Sequence, residues 1–114
     1  MSASTHIPPA EALALTTLIA TTPHGIASRV LARNAGGTVT LFAFDAGESL
    51  SEHTAPFDAL VLVLEGALTL TVAGQQVQAL PGTIVRMPSG VPHAVDADQA
   101  SRMLLIMLRT GGTG

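Results

Sequence analysis

The chain has 114 residues, of which 47% are hydrophobic and only 11% are charged, and its formal net charge is −3. This length fits one domain, and the 3% aromatic content means that aliphatic side chains must fill its core. The five basic residues are all arginines, scattered from Arg29 to Arg109, so they form neither a stripe for nucleic acid nor a basic face for a membrane surface. The absence of cysteine excludes disulfides, thiolate metal sites and cysteine nucleophiles.

Residues 1–25 form an N-terminal segment that contains an apolar run. A short helix is predicted from about Pro9 to Leu15, because proline is well tolerated at the first helical position. The following "TLIA" (17–20) then predicts an edge strand. The run is unlike an export signal, since no Lys or Arg precedes it and Glu11 opens it. We therefore expect an untargeted, cytoplasmic protein.

Short apolar runs separated by turn residues occupy residues 26–110. Clusters of glycine, proline, asparagine and aspartate recur about every ten residues, which is typical of an all-β sandwich or barrel. Residues 111–114 are rich in glycine and are predicted to form a flexible tail. The runs predicted as strands are 26–32, 38–44, 59–64, 67–72, 76–80, 83–87, 93–96 and 102–108.

Two of these runs differ in periodicity. "ALTLTV" (67–72) alternates leucine or valine with threonine, as a strand with one buried face does. Together with the next run it predicts a hairpin that has Gly74 near its tip. "ALVLVL" (59–64) is apolar on both faces, so one face is expected to line a barrel interior and the other to pack on a second sheet or subunit. With the low charge, this pattern favours a homodimer.

Two longer stretches, "GESLSEHTAPFDALVLVLEG" (47–66) and "GTIVRMPSGVPHAVDA" (82–97), place glycine, proline and histidine at defined spacings. In the first, five residues separate the opening glycine from His53, and Gly66 closes the stretch. In the second, five residues separate Gly82 from Pro88, and Gly90 and His93 follow. These spacings resemble the two motifs of the cupin superfamily, which are small RmlC-like double-stranded β-helices. The resemblance implies a cupin-type jelly-roll barrel over residues 26–110.

The resemblance also implies an incomplete metal site. The family's metal ligands, three histidines and one glutamate, fall on His53, Ala55, Ala59 and His93, and alanine cannot coordinate a metal. The remaining histidine pair would hold a divalent transition metal (Fe, Mn, Ni, Cu or Zn) only if water, Asp58 or a ligand group completed the shell. Asp58 lies one residue from the ligand position, so a β-bulge would be needed to turn it inward. No cofactor follows with certainty from these residues.

The two alanines leave space where the family carries large polar side chains, so an open and mostly apolar cavity is expected. Met87, Met103 and Met107 are interpreted as core filler, although methionine also suits an adaptable ligand pocket. Phe57 is expected to close the mouth of the cavity. The predicted cavity lining is His53, Ala55, Phe57, Ala59, Val61 and His93.

Three functions remain open at this point. The favoured hypothesis is a small cupin-barrel protein that binds a small organic molecule in its cavity and retains a degenerate two-histidine metal site. The alternative is an enzyme, which would be either metal-dependent, such as a small dioxygenase or isomerase, or metal-free with His53 or His93 as general base. The third is a structural or interaction module with a packed barrel. Fold alone does not choose among them, because one fold supports many chemistries.

Overall fold

A computed structural model describes residues 6–110 of the chain. Its regular structure is almost entirely β, so the all-β prediction is confirmed. Among residues 6–110, no helix has the length and apolar character needed to span a bilayer. The strands in this part of the chain are β1 (Ile26–Asn34), β2 (Gly37–Phe44), β3 (Ser49–His53), β4 (Phe57–Glu65), β5 (Leu68–Val72), β6 (Gln75–Ala79), β7 (Ile84–Met87), β8 (His93–Ala97) and β9 (Ser101–Arg109).

The strands form two antiparallel sheets around one core. The five-stranded sheet has the order β1-β2-β9-β4-β7, and the four-stranded sheet has the order β3-β8-β5-β6. Each sheet therefore joins strands that are distant in the chain, as jelly-roll connections do. The buried side chains between the sheets are mostly aliphatic, as the composition predicts: Phe44, Ala59, Val61, Val63, Leu68, Leu70, Ala79, Met87, Val95, Ala97 and Met103.

Strand β4 is apolar on both faces because each face has its own neighbours. Its inward residues are buried in the core, whereas the leucines of its other face are only half-buried. On β9 the cross-strand partners of Leu60 and Leu62 are apolar, whereas on β7 Leu60 pairs with Arg86 and Leu62 pairs with Ile84, which is 58% exposed. We call the surface formed by Leu60, Leu62, Ile84, Leu104 and Ile106 the outer apolar face.

The N-terminal segment differs from its predicted structure. Ala10 has a φ of 60°, which a right-handed helix cannot accommodate, and within residues 6–25 the regular structure is limited to a 3-10 turn at Leu15–Thr17. The edge strand predicted at 17–20 is also absent from the described residues. Instead, arginine side chains of the sheet donate hydrogen bonds to the backbone carbonyl groups of this stretch: Arg29 donates to Leu18 and Arg102 donates to Ile19. The helix predicted from about Pro9 to Leu15 and the edge strand predicted at 17–20 are therefore wrong. Residues 1–5 of the N-terminal segment lie outside the described range.

Strand β3 was not among the predicted strands. Its sequence, "SLSEH", has one apolar residue, Leu50, so no hydrophobic alternation marks it. Pairing with β8 holds it in place, and the register shifts between Leu50 and His53. By contrast, the predicted hairpin forms β5 and β6, with Ala73 and Gly74 both at positive φ, as a two-residue turn of this kind requires. The predicted tail at 111–114 lies outside the described residues.

Candidate functional site

Two histidines that are forty residues apart in sequence meet where β3 ends and β8 begins. His53 and His93 are cross-strand partners, and their Nε2 atoms lie 3.1 Å apart. The rings meet edge to face, with centroids 4.3 Å apart. His93 is only 6% exposed, whereas His53 is exposed to solvent. The pair therefore connects the interior of the barrel with its surface.

Backbone carbonyl groups hold both rings in one orientation. The Nδ1 atom of His53 lies 2.8 Å from the carbonyl oxygen of Ser51, and that of His93 lies 3.1 Å from the carbonyl oxygen of Val91. Because a carbonyl oxygen can only accept, each Nδ1 carries the proton and donates it. In the neutral rings both Nε2 atoms then present lone pairs to each other. A hydrogen-bond donor, a shared proton or a cation between them would satisfy both lone pairs.

The histidine pair lies at a small cavity between the two sheets. Its volume is about 50 Å³, far below the roughly 300–1,000 Å³ of a typical ligand pocket. The lining is mostly apolar, as expected, but the expected large open space is absent, and Met87 and Met107, the cross-strand partners of Ala59, are among the lining residues. The cavity is lined by Leu50, His53, Ala55, Ala59, Met87, His93, Val95, Met103, Leu105 and Met107.

Two predicted lining residues are not among those that line this cavity. Val61 is fully buried in the core, one inward position beyond Ala59, and so it packs below the cavity. Phe57 lies at the start of β4, where the guanidinium of Arg109 stands 5.9 Å from the centroid of its ring. Sequence patterns missed Leu50, because its strand has no apolar alternation.

Asp58 does not complete a metal shell in this structure. Alternation along β4 turns it away from the cavity, where it accepts a hydrogen bond of 3.0 Å from the backbone N–H of Ser89. It also forms an ion pair of 3.5 Å with Arg86, whose side chain is mostly exposed. Among residues 6–110, no cluster of three or more histidine, cysteine or acidic side chains is placed to hold a metal ion. The four-ligand centre of the cupin motifs therefore does not fit the side chains present.

The other two histidines lie on the N-terminal segment, away from the pair. His6 is exposed, and its Nε2 lies 2.9 Å from the carbonyl oxygen of Arg33. The backbone N–H of His24 donates to Asp45 at 2.7 Å. This bond, together with one from the backbone N–H of Ala46, lowers the pKa of Asp45. These contacts attach the segment to the barrel and add no ligand to the cavity.

The sequence and the fold of this chain are both similar to those of known proteins. The sequence model of the cupin domain matches residues 40–108. A conserved protein of unknown function from Streptococcus pyogenes is 30% identical over 98% of both chains, with a TM-score of 0.88. A cupin superfamily protein from Desulfitobacterium hafniense is 30% identical over 92% of this chain and 96% of its own, with a TM-score of 0.86.

A more distant structure shares the fold alone. An RmlC-like cupin from Shewanella frigidimarina is 18% identical over 78% of this chain and 80% of its own, with a TM-score of 0.72. The curated proteins contain no match to this chain. The cupin-type barrel predicted from the two motifs is thereby confirmed.

Proposed function

This chain belongs to the cupin superfamily, and from that premise we propose that it binds a small organic molecule at the His53–His93 pair. The observation that carries the proposal is the convergence of two imidazole Nε2 atoms, 3.1 Å apart, at the end of a cavity with otherwise apolar walls. A few polar groups in an apolar pocket are typical of sites that orient a small ligand.

The orientation of the rings supports one kind of ligand chemistry. Since each Nδ1 donates to a carbonyl oxygen, the free Nε2 positions favour a ligand that brings a hydroxyl or amino donor. The cavity of about 50 Å³ admits only a small head group, so the remainder of the ligand would lie outside, beyond the exposed His53. We therefore propose a compact alcohol or amine group, carried on a larger molecule, as the feature that is recognised.

Nuclear magnetic resonance of the imidazole nitrogens tests this proposal on the full chain. Ethanol and ethylamine serve as donor probes, and acetonitrile serves as a probe of similar size that can only accept. The donor probes should shift the Nε2 signals of His53 and His93 and leave those of His6 and His24 in place. Equal shifts at all four histidines, or an equal response to acetonitrile, would contradict the proposal.

The degenerate metal site is the second part of the proposal. If Ala55 and Ala59 are what reduce the site, then Ala55→His with Ala59→Glu rebuilds the ligand set of the family. Zinc affinity should then rise by orders of magnitude, because affinity depends on several preorganised ligands. Ala55→His with Ala59→Gln is the control for side-chain volume. A parent protein that binds zinc as tightly as the rebuilt variant would show that another ligand is already present.

We also propose that the protein is a homodimer that pairs through the outer apolar face. Only 11% of its residues are charged, and this face exposes Ile84 beside half-buried leucines. A second copy would remove these apolar side chains from water. A cytoplasmic location stays a prediction.

A further inference from the structure

We propose that the cavity is a copper(I) site, in which the Nε2 atoms of His53 and His93 and the thioethers of Met87 and Met107 bind one Cu⁺ ion. The inference deepens the proposed function and rests on it in one respect, since both use the same pair of Nε2 atoms. It adds two donors and a choice of metal that the cupin motifs do not provide.

The first observation is the separation of the two nitrogens. Metal–imidazole bonds are about 2.0–2.1 Å long, so two such ligands 3.1 Å apart subtend an angle of about 95–102° at the metal. That angle lies between the octahedral and tetrahedral values. The rings already present their lone pairs, because each Nδ1 is engaged by a backbone carbonyl group.

The second observation is the pair of thioethers beside Ala59. This residue occupies the position of the family's glutamate, and its direct cross-strand partners are Met87 on β7 and Met107 on β9. Directly opposed residues share one face of a sheet, with Cβ atoms about 4.5–5.5 Å apart. Both methionines line the cavity together with His53 and His93. A hard carboxylate donor is thus replaced by an alanine flanked by two soft sulfur donors.

The third observation is the charge of the donor set. Two neutral imidazoles and two thioethers carry no net charge, and the nearest acidic residue along the strand, Asp58, faces outward and pairs with Arg86. The cost of burying an ion grows with the square of its charge, so an uncompensated divalent ion costs about four times as much as a monovalent one. Soft thioether ligands select Cu⁺ among biological metals. Charge and donor softness therefore favour the same ion.

The alternative is that the methionines only fill space. Met87 is 2% exposed, as core residues are, Met107 is half-buried, and methionine adapts to irregular gaps. The two interpretations differ in what a leucine does at these positions. Leucine conserves the volume and removes the sulfur, so it preserves packing and abolishes coordination.

Anaerobic titration of the full chain with Cu⁺, in competition with a chromophoric copper(I) chelator, tests the proposal. The absence of cysteine simplifies the assay, because no thiol competes for the ion. We expect one ion per chain, with affinity lowered at least about 100-fold by His53→Ala and about 10-fold or more by Met87→Leu with Met107→Leu. Copper–sulfur scattering in X-ray absorption should disappear in the double leucine variant.

Controls separate this inference from the proposed function. Met103→Leu compares positions within the cavity: Met103 also lines it, but its partner on β4 is Val63, so it is not one of the two methionines that flank Ala59. Zinc affinity should be the same in the double leucine variant and the parent, since zinc does not depend on thioethers. Unchanged Cu⁺ affinity after Met87→Leu with Met107→Leu, or a loss confined to Met103→Leu, would overturn the copper site. The alcohol and amine probes report on the histidines alone, so their binding can fail or persist independently of this result.

Discussion

Replacing each histidine of the pair by alanine should affect stability very differently. His93 is 6% exposed and packs between the sheets, whereas His53 is exposed at the end of β3. The burial of His93 makes it part of the packed interior as well as of the site. We therefore predict that His93→Ala destabilises the fold and that His53→Ala leaves it nearly unchanged.

The size of the effect at His93 follows from its surroundings. Truncating a large buried aromatic side chain typically costs about 3–5 kcal/mol. The imidazole is smaller and borders a void of about 50 Å³, so the packing contribution should be lower. Loss of the hydrogen bond to the carbonyl group of Val91 should add about 1 kcal/mol to the destabilisation. We expect a net loss of about 2–3 kcal/mol, or a Tm lower by about 10–20 °C. An exposed residue such as His53 should change stability by no more than about 0.5 kcal/mol.

Urea unfolding at one fixed protein concentration measures both variants, because association would make apparent stability concentration-dependent. His93→Leu is a useful third variant, since it fills the site but cannot donate to Val91. It should recover the packing contribution and keep only the loss of the hydrogen bond. Equal losses for His53→Ala and His93→Ala would refute the reasoning. If it holds, His53→Ala is the variant of choice for every binding test.

Three further predictions address the turns, the assembly and the pH dependence of the fold. Gly74→Ala should lower the free energy of unfolding by about 1–2 kcal/mol, because Gly74 has a positive φ. Gly66→Ala should lower it distinctly more, because a Cβ there would also clash with the backbone oxygen of Ala100; equal urea midpoints for the two variants would contradict this. Ile84→Arg should convert the proposed dimer to a monomer in light scattering, whereas Gln76→Arg, on the other sheet, should not; a persistent dimer in the Ile84 variant would exclude this face. Asp45 has a lowered pKa, so its ionised form stabilises the fold at neutral pH, and this contribution disappears as the pH falls through the folded-state pKa. Asp45→Asn should therefore be less stable than the parent at pH 7 in urea unfolding, and the difference should shrink as the pH falls through the folded-state pKa of Asp45; a difference that stays constant with pH would contradict the linkage.

The spacing of residues along the chain was enough to predict several local features and one distant pairing. Turn residues about every ten positions predicted short strands, and the threonine alternation of β5 with Gly74 predicted the hairpin, because both depend on neighbouring residues. The motif spacings predicted the barrel and directed attention to His53 and His93. The structure places these two side chains in contact. That prediction came from a family resemblance, since periodicity alone does not relate residues forty positions apart.

Only the tertiary structure decided what surrounds the histidine pair. The sequence of β3 has no hydrophobic alternation, and the strand is defined by its pairing with β8. Its inward residue Leu50 was therefore not predicted. The methionines that reduce the cavity reach it from β7 and β9, which become neighbours of Ala59 only when the sheet assembles. Alanines at two ligand positions indicated free space, but the volume of a cavity depends on every side chain around it. Long-range strand pairing determines those neighbours, and local sequence does not encode it.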